Sequence, residues 1–437
     1  MSASTLFIHG VHRSMRSRIL FLSQSLPFPP HSGVTNRTLH ILQELQRTFD
    51  VTLVAFSRRN HQPDDASRAR AVEELRQRVS DILEPVRIDS EWSTSAKLRV
   101  HASSVLTGKP YIFFDYGSPD FGHRIDLALS NNPPHLVHVD SMDLYRWLPR
   151  LSAIPIACTH HSVESDLLRL RADRIHGRTA SRYIRHQAHL VENVERALCR
   201  QLDLNVMTSD ADADRLVSLA PGARTSVIPN GANVDYFKPT NPQSVVPGRV
   251  AFLGPTYMFP NRDAVHFFLD AIWPLVRNQR SDATLHLIGK NAADEKNLFE
   301  QQSGVSCQGY VPDVRPHFAE AACSVVPLRV GGGTRLKILD AWSMGKAIVS
   351  TSIGCEGLQN VDGENILIRD DPAEFAEAVL AVLRDEELRN RLGRNGRRTA
   401  EEIYAWPVVG RKLNALYQDL LVAPPLRRTT TLDSIAR

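Results

Sequence analysis

Short apolar runs alternate with longer amphipathic segments through the first half of the chain. The apolar runs are rich in β-branched and aliphatic residues, as buried strands are. They lie at 18–24, 50–56, 134–140, 154–160 and 203–209. Between them, the segments 35–49 and 71–83 repeat apolar residues at the three- and four-residue spacing of a helix face. Strands and helices in alternation predict a parallel sheet that is covered on both faces.

The alternation stops at 226–248, where four prolines, two glycines and three asparagines predict an interdomain linker. It then resumes in the second half. The strands predicted there lie at 249–254, 283–290, 305–311, 323–328, 347–351 and 365–370. Consecutive helices are predicted over 371–421, and we expect the last of them, near 407–421, to cross back to the first domain.

These patterns predict the α/β fold class, with two doubly wound, Rossmann-like domains that face each other across a cleft. The predicted parts are an N-terminal extension at 1–17, a first domain at 18–237, a linker at 238–248, a second domain at 249–422 and a tail at 423–437. Such sheets bind ligands outside the carboxyl ends of their strands. The functional site is therefore expected in the cleft.

Composition narrows the class of protein. The net charge of +4 is too mild for a dedicated nucleic-acid binder, so no nucleic-acid partner is expected. The five cysteines have no metal-binding spacing, which predicts reduced core residues of a cytoplasmic protein. No apolar run reaches the roughly 18 residues of a membrane span. The N-terminal residues lack the pattern of a signal peptide, and Met15 is an alternative start to Met1.

A glycine-rich turn joins the predicted strand at 323–328 to a predicted helix at 336–344. Backbone amides without a Cβ approach a ligand closely, and the first turn of a helix favours an anion. Arg335 and Lys337 add two positive charges, which suit a diphosphate, and Asp340 is placed to bind a ribose diol. The other residues predicted to bind the donor here are Gly331, Gly332, Gly333, Thr334 and Leu336. The alternative is a plain loop with solvated cations.

A second glycine, Gly33, lies before a predicted helix in the loop that follows the first strand. Close approach to a phosphate from the opposite domain is one interpretation, and an ordinary loop glycine is the other. A dinucleotide-binding oxidoreductase is disfavoured, because neither this loop nor the loop after 249–254 contains GxGxxG.

Long stretches of the chain resemble glycosyltransferases of the GT-B fold, specifically family 4. The stretches that carry the resemblance lie at 208–239, 249–276, 285–290, 309–328 and 331–358. The resemblance implies a retaining enzyme that moves a sugar from a UDP- or GDP-sugar to an acceptor hydroxyl. It implies no cofactor and no metal requirement, because the helix terminus and two cations would carry the charge of the departing diphosphate.

The family motifs carry over unevenly. Where the family has a Glu-x7-Glu element, this chain has Gly332 and Asp340, so only the ribose contact is retained. Where the family places an Arg and a Lys after the strand at 249–253, this chain has Pro255 and Asn261, next to Gly254. Our hypothesis is that Arg335 and Lys337 replace those charges. Asn261 is then expected to cap a helix that begins near 262.

Further residues are assigned by the same resemblance. Tyr310 and Val311 match the place where the family's backbone meets the nucleobase. His161 matches a histidine that faces the donor sugar or the acceptor, with His160 as second choice. His161, Arg335 and Lys337 are therefore the predicted catalytic residues. Glu164 is interpreted as a helix-start residue favoured by the dipole, and neither it nor Glu356 is assigned a catalytic role.

The segment 169–189 holds six arginines and one acid. A solvated helical face is one interpretation, and a peripheral contact with an anionic membrane is the other. The second would suit a lipid-linked saccharide acceptor in exopolysaccharide, capsule or lipopolysaccharide synthesis. Two other functions stay open: a nucleotide-sugar epimerase of the same fold, and a non-catalytic subunit that binds a nucleotide-sugar.

Overall fold

The first half of the chain folds into a parallel sheet of eight strands. The computed structural model describes residues 16–30, 32–175, 177–241, 244–291, 295–330, 335–424 and 426. The strands of this sheet are β1 (Arg18–Ser23), β2 (Asp50–Ser57), β3 (Asp81–Ile82), β4 (Val86–Arg87), β5 (Leu136–Val139), β6 (Ile156–Thr159), β7 (Leu204–Met207) and β8 (Thr225–Val227). Their order is β3-β2-β1-β5-β6-β7-β8, and β4 pairs with β2.

The second half forms another parallel sheet. Its strands are β9 (Arg249–Leu253), β10 (Thr284–Ile288), β11 (Val305–Gly309), β12 (Cys323–Val326), β13 (Ile348–Ser350) and β14 (Leu367–Ile368). Their order is β11-β10-β9-β12-β13-β14. Buried Val, Ile, Leu and Phe fill both sides of the strands, as the apolar runs require. The predicted fold class of two doubly wound domains is confirmed.

Helices cover both sheets. Those of the first half are α1 (Gly33–Gln46), α2 (Asp65–Arg76), α3 (Asp89–Trp92), α4 (Thr94–Thr107), α5 (Tyr111–Asp115), α6 (Pro119–Asn131), α7 (Glu164–Arg174), α8 (Arg178–Leu198) and α9 (Asp210–Leu219). Those of the second half are α10 (Phe259–Phe267), α11 (Trp273–Gln279), α12 (Lys296–Glu300), α13 (Arg315–Glu320), α14 (Leu336–Ser343), α15 (Pro372–Arg384), α16 (Glu386–Thr399) and α17 (Trp406–Val422).

The helix predicted over 71–83 is wrong at its C-terminal end. Helix α2 ends at Arg76, and Asp81–Ile82 joins the sheet as β3. The backbone amides of Ser80 and Leu83 donate to carbonyl oxygens of β2 at 3.0 Å each. Pairing with the sheet edge therefore overrides the helical periodicity of this segment.

The last helix, α17, packs against α1 of the first domain, as expected. The Asn414 side chain donates to the carbonyl oxygen of Glu44 at 3.1 Å. The Trp406 ring stacks on His40 with 4.7 Å between ring centroids. The consecutive helices predicted over 371–421 are thereby confirmed, and the C-terminal one ties the two halves together.

The five cysteines are free and buried, as predicted. Within the described residues, no helix is long and apolar enough to cross a membrane.

Candidate active site

The loops that carry the predicted site lie where the strand order of each sheet reverses. In the first sheet the strand order reverses between β1 and β5, and in the second between β9 and β12. Gly33 follows β1, Gly254 follows β9, and the turn that leads to Lys337 follows β12. Doubly wound sheets bind their ligands at such switch points. The topology therefore brings the glycine loops of both halves to ligand-binding positions.

Gly33 and Leu336 face each other across the cleft. A Cβ built on Gly33 would lie 3.4 Å from Leu336 Cδ1. Gly33 is the first residue of α1, and Ser32 fixes that helix start in a capping box with Thr35. Gly33 of the first domain thus meets the start of α14 in the second domain.

Lys337 reaches from α14 to the turn after β9. Its Nζ donates to Asn261 Oδ1 at 2.8 Å and lies 4.6 Å from the centroid of the Phe252 ring. Asn261 Nδ2 in turn donates to the carbonyl oxygen of Pro255 at 3.1 Å. The ammonium group therefore stands beside positions 255 and 261, where the family has an Arg and a Lys.

The surroundings of Lys337 disfavour its charged form. Burial, and secondly the nearby charge of Arg335, lower the pKa of Lys337 to about 7. Binding an anion beside it would raise that pKa again. A lysine with such a pKa is suited to bind a phosphate in its protonated form and to lose that proton when the phosphate leaves.

Asn261 does not cap a helix, so that prediction is wrong. Helix α10 begins at Phe259 after Met258, and no side chain caps it. The Asn261 side chain turns inward, because Gly254 leaves room for it: a Cβ on Gly254 would lie 2.7 Å from Asn261 Cγ. Asn261 therefore holds Lys337 in place and fixes the turn.

Arg335 is more enclosed than the sequence suggested. Only 8% of it is exposed, and Nη2 donates to the carbonyl oxygen of Ile353 at 3.1 Å. Burial lowers its pKa, and Glu356 and Cys355 oppose that shift. Arg335 precedes the first residue of α14, so its charge lies at the positive end of that helix.

Asp340 lies just past the middle of α14 and is partly exposed. Burial raises its pKa to about 7. Within the described part of the chain, no donor forms a hydrogen bond with its carboxyl group. It is thus available to a ligand hydroxyl, which is the role predicted for it. Gly331, Gly332, Gly333 and Thr334 lie outside the described residues.

Tyr310 and Val311 follow the edge strand β11. Tyr310 is 78% exposed, and Val311 is half-buried. They stand at the carboxyl end of the same sheet as Gly254, on its outer side. The exposed ring is free to stack on a planar ligand.

His161 lies on the opposite wall of the cleft, after β6. Its Nε2 lies 3.0 Å from the carbonyl oxygen of Asp140, which accepts the proton of that nitrogen. The neutral tautomer then leaves the lone pair of Nδ1 for a ligand hydroxyl. Burial lowers the pKa of His161, and the Asp140 carboxylate only partly offsets this.

His160 has a structural role. It is buried, and its Nε2 lies 2.9 Å from Asn205 Oδ1. Burial lowers its pKa to about 4, so the ring is neutral at physiological pH. Of the two histidines, His161 is therefore the candidate for contact with a ligand in the cleft.

Glu164 begins α7, as predicted. Burial and the charges of Asp143 and Glu195 raise its pKa to about 8. Glu195 Oε1 accepts the backbone amide of Glu164 at 2.8 Å. Glu356 is exposed and lies near Arg335.

Sequence reasoning missed the residues that hold His161 in place. Asp140 Oδ2 accepts the Thr38 hydroxyl at 2.6 Å, and Asp140 Oδ1 lies 3.7 Å from both His138 Nε2 and His161 Nε2. His138 Nδ1 lies 2.5 Å from the Tyr417 hydroxyl, on α17. The signal was an aspartate directly after a buried strand, at the switch point.

Lys290 was also missed. It is exposed, it follows β10, and its carbonyl oxygen accepts the backbone amide of Thr256 at 3.1 Å. A cation next to Gly289, whose backbone lies against Gly254 at the sheet's carboxyl end, is a further candidate for phosphate contact. In the described ranges, no three His, Cys, Asp or Glu side chains are grouped as a metal site would need.

Both halves of the chain match models of glycosyltransferase families. Residues 31–236 match the model for Glycosyltransferase Family 4, and residues 247–385 match the model for Glycosyl transferases group 1. The chain therefore belongs to the family 4 type of glycosyltransferase, with the GT-B fold.

Solved structures show the same fold at low identity. HepE of Anabaena, in complex with UDP, is 15% identical with a TM-score of 0.64, covering 92% of this chain and 100% of that one. Sucrose-phosphate synthase of Thermosynechococcus elongatus is 17% identical with a TM-score of 0.66, covering 94% and 100%. WaaG, a glycosyltransferase involved in lipopolysaccharide biosynthesis, is 15% identical with a TM-score of 0.58, covering 91% and 99%.

Among curated proteins, an uncharacterized 44.6 kDa protein in the cps region of Klebsiella pneumoniae is 28% identical over 147 residues. The match covers 30% of this chain and 36% of that protein, about a third of its length.

Proposed function

We propose that this glycosyltransferase moves a hexosyl group from a UDP- or GDP-sugar to an acceptor hydroxyl with retention of anomeric configuration. The observation that carries the proposal is the position of Lys337 Nζ on Asn261, beside the close turn at Gly254. Gly33 of the other domain lies opposite, at Leu336. The ammonium group of Lys337, the N-terminus of α14 and the glycines Gly33 and Gly254 lie at one place, which suits a diphosphate.

The proposed reaction exchanges one bond at the anomeric carbon. The acceptor oxygen forms a bond to that carbon, and the bond to the phosphate oxygen breaks on the same face. The acceptor proton passes to the departing phosphate oxygen. Lys337 and the start of α14 stabilise the negative charge that develops on the diphosphate. His161 Nδ1 accepts a hydrogen bond from a hydroxyl of the donor sugar or of the acceptor and so orients that hydroxyl.

In this proposal protein cations carry the diphosphate charge, so no metal ion is required. The reaction rate should be unchanged when EDTA replaces added Mg²⁺. A rate that falls to background in EDTA and returns with Mg²⁺ would contradict this part of the proposal.

UDP-sugars are the first donors to test. HepE has been solved with UDP and with UDP-glucose. Exposed Tyr310 and half-buried Val311 at the end of β11 would meet the base. The relatives also favour polysaccharide synthesis: one lies in a cps region and WaaG acts in lipopolysaccharide biosynthesis. We place the reaction in the cytoplasm, where nucleotide-sugars are made.

A peripheral contact with an anionic membrane is part of the proposal for a lipid-linked acceptor. Leu170 on α7 and Ile175 directly after α7 are 46% and 38% exposed, and Ile175 lines a surface pocket together with Arg178 and Arg182 of α8. Apolar side chains beside cations are typical of interfacial binding. Cosedimentation with phosphatidylglycerol vesicles, but not with phosphatidylcholine vesicles, is expected. Equal recovery in both supernatants would contradict it.

A thermal-shift panel of UDP-, GDP- and ADP-sugars tests the donor class. A ligand that binds only the native state raises the unfolding temperature according to RT ln(1 + [L]/Kd). A selective shift with UDP- or GDP-sugars supports the proposal, and no shift with any of them contradicts it.

Product analysis then separates the alternatives. A transferase releases the nucleoside diphosphate and consumes the donor faster when the acceptor is added. An epimerase would convert the sugar of the donor without an acceptor. A non-catalytic subunit would bind the nucleotide and turn over nothing.

A further inference from the structure

A cavity of about 760 Å³ opens at the carboxyl ends of β2 and β4 in the first domain. Its lining includes Arg58, Arg59, Glu91, Trp92, Lys97 and Tyr111. These residues come from the loop after β2 and from α3, α4 and α5. None of them belongs to the donor site described above, so the cavity needs an explanation of its own.

Buried Tyr116 links the wall of this cavity to the loop after β1. Its hydroxyl lies 3.3 Å from Gln24 Oε1, directly after β1, and Arg58 Nη1 donates to it at 3.3 Å. The loop that starts at Gln24 leads to Gly33. Hydrogen bonds through Tyr116 therefore link Arg58, on the cavity wall, to the start of the loop that leads to Gly33.

The charges on the cavity wall do not cancel. Arg58 pairs with Glu91 at 2.7 Å, so those two charges neutralise each other. Arg59 Cζ lies 5.1 Å from the centroid of the Trp92 ring, and Arg59 Nη1 donates to the carbonyl oxygen of Glu91 at 3.2 Å. Lys97 is exposed. Across the described ranges, neither Arg59 nor Lys97 forms an ion pair with a carboxylate. Asp115 is the second carboxyl on the wall, so the cavity has one cation more than it has carboxyl groups.

The rest of the wall offers both aromatic surface and hydrogen-bonding groups. Trp92 is 36% exposed, and Tyr111 and His101 line the same cavity. Asp115 accepts a hydrogen bond from Ser90, and burial raises its pKa. Aromatic rings with interspersed donors and acceptors suit a sugar ring, because a sugar has an apolar face and a rim of hydroxyls.

We propose that this cavity binds the acceptor, and that the acceptor is a saccharide with an anionic group next to its hydroxyls. Arg59 and Lys97 would bind the anion, while Trp92 and Asp115 would contact the ring. The inference rests on the proposed function, because it assigns the acceptor side of that reaction. The anion is a carboxylate or a phosphate, and the experiment distinguishes them.

The test is a ligand-observed NMR titration with methyl β-D-glucuronide, glucose 6-phosphate and the neutral methyl β-D-glucoside. We expect the anionic probes to bind about fivefold more tightly than the glucoside. The double variant Arg59→Ala/Lys97→Ala should lose this preference. The control, Arg391→Ala/Lys412→Ala, removes the same charges from exposed positions on α16 and α17 and should keep it. The tighter of the two anionic probes identifies the anion.

Equal binding of all three probes, no binding of any of them, or the same preference in Arg59→Ala/Lys97→Ala would overturn the inference. UDP binding is measured on the same proteins to separate this inference from the proposed function. The cavity variant should bind UDP as the wild type does, since Lys337 is unchanged. If UDP binds and the anion preference is absent, only this inference fails. If UDP does not bind the wild type, the donor assignment fails instead.

Discussion

The backbone of Gly33 approaches Leu336 so closely that a single methyl group would fill the gap between the two domains. A Cβ on Gly33 would lie 3.4 Å from Leu336 Cδ1. This contact joins the first turn of α1 to the first turn of α14. The two helix N-termini therefore point into the same part of the cleft, and a bound diphosphate would lie between them.

Gly33→Ala should weaken donor binding without destabilising the protein. The added methyl group occupies the space at Leu336, while alanine favours the first turn of a helix more than glycine does. We expect a donor KM several-fold higher and an unfolding temperature equal to or above that of the wild type. An unchanged KM would mean that the ligand does not pass between these two residues.

UDP affinity should fall as the pH rises from 7 to 9. The pKa of Lys337 is about 7 in the free protein, and a bound diphosphate favours its protonated form. Above pH 7 binding must take up a proton, so Kd should rise by up to about tenfold per pH unit. The phosphate itself changes its ionisation near pH 6, below this window. In Lys337→Met the slope should disappear, and a slope that persists would assign it to another group.

The contribution of Lys337 to stability should increase as the pH rises, whereas UDP affinity should decrease. Folding lowers the pKa of Lys337, so the unfolded chain binds more protons between about pH 7 and pH 10. The contribution of Lys337 to the free energy of unfolding therefore rises with pH in that window. Denaturant titrations of the wild type and Lys337→Met at pH 7 and pH 9 measure it. The difference between the two proteins should shift in favour of the wild type at pH 9.

The two adjacent histidines should separate activity from stability. His160→Ala leaves Asn205 Oδ1 without its partner in a buried place, which should cost about 1–3 kcal/mol in free energy of unfolding. His161→Ala should instead lower the transfer rate on the order of 10²-fold with a smaller loss of stability. Denaturant titration and initial rates on both variants check this. The reverse assignment of effects would make His160 the functional residue.

Tyr417→Phe should destabilise the junction of α17 with the first domain. The change removes the hydroxyl that lies 2.5 Å from His138 Nδ1 and leaves a buried ring nitrogen unpaired. A loss of about 1–3 kcal/mol in free energy of unfolding is expected. The exposed Tyr257 provides a control, because Tyr257→Phe removes a hydroxyl that is open to solvent. Equal stability of the two variants would show that the His138 contact contributes nothing.

The sequence predicted the fold because strand burial and helix periodicity are local patterns. The apolar runs of both sheets stand out for this reason, whereas β3 is two residues long and forms only against β2. Its segment carries a helix-like pattern that edge pairing overrides. β3 lacks a signal of its own, since its partner β2 supplies it.

The site was less predictable, because it depends on contacts between distant segments. The sequence indicates Lys337 as a cation near a helix start, but not that its ammonium group lies on Asn261, 76 positions away. Asn261 was predicted as a helix cap from its local position, and the Lys337 contact decided otherwise. Tyr417 was missed, since 279 positions separate it from His138 and only the crossing of α17 brings the two together.

The affinity of UDP for the wild type and for Lys337→Met at pH 7, measured by calorimetry, tests the central claim most directly. A hydrogen bond to a charged group contributes about 1.5–3 kcal/mol, so Kd should rise about 10- to 150-fold in the variant. Lys412→Met removes an exposed cation from α17 and should bind UDP as the wild type does. Equal affinity of Lys337→Met and the wild type would contradict the assignment of this cleft to a nucleoside diphosphate held by Lys337.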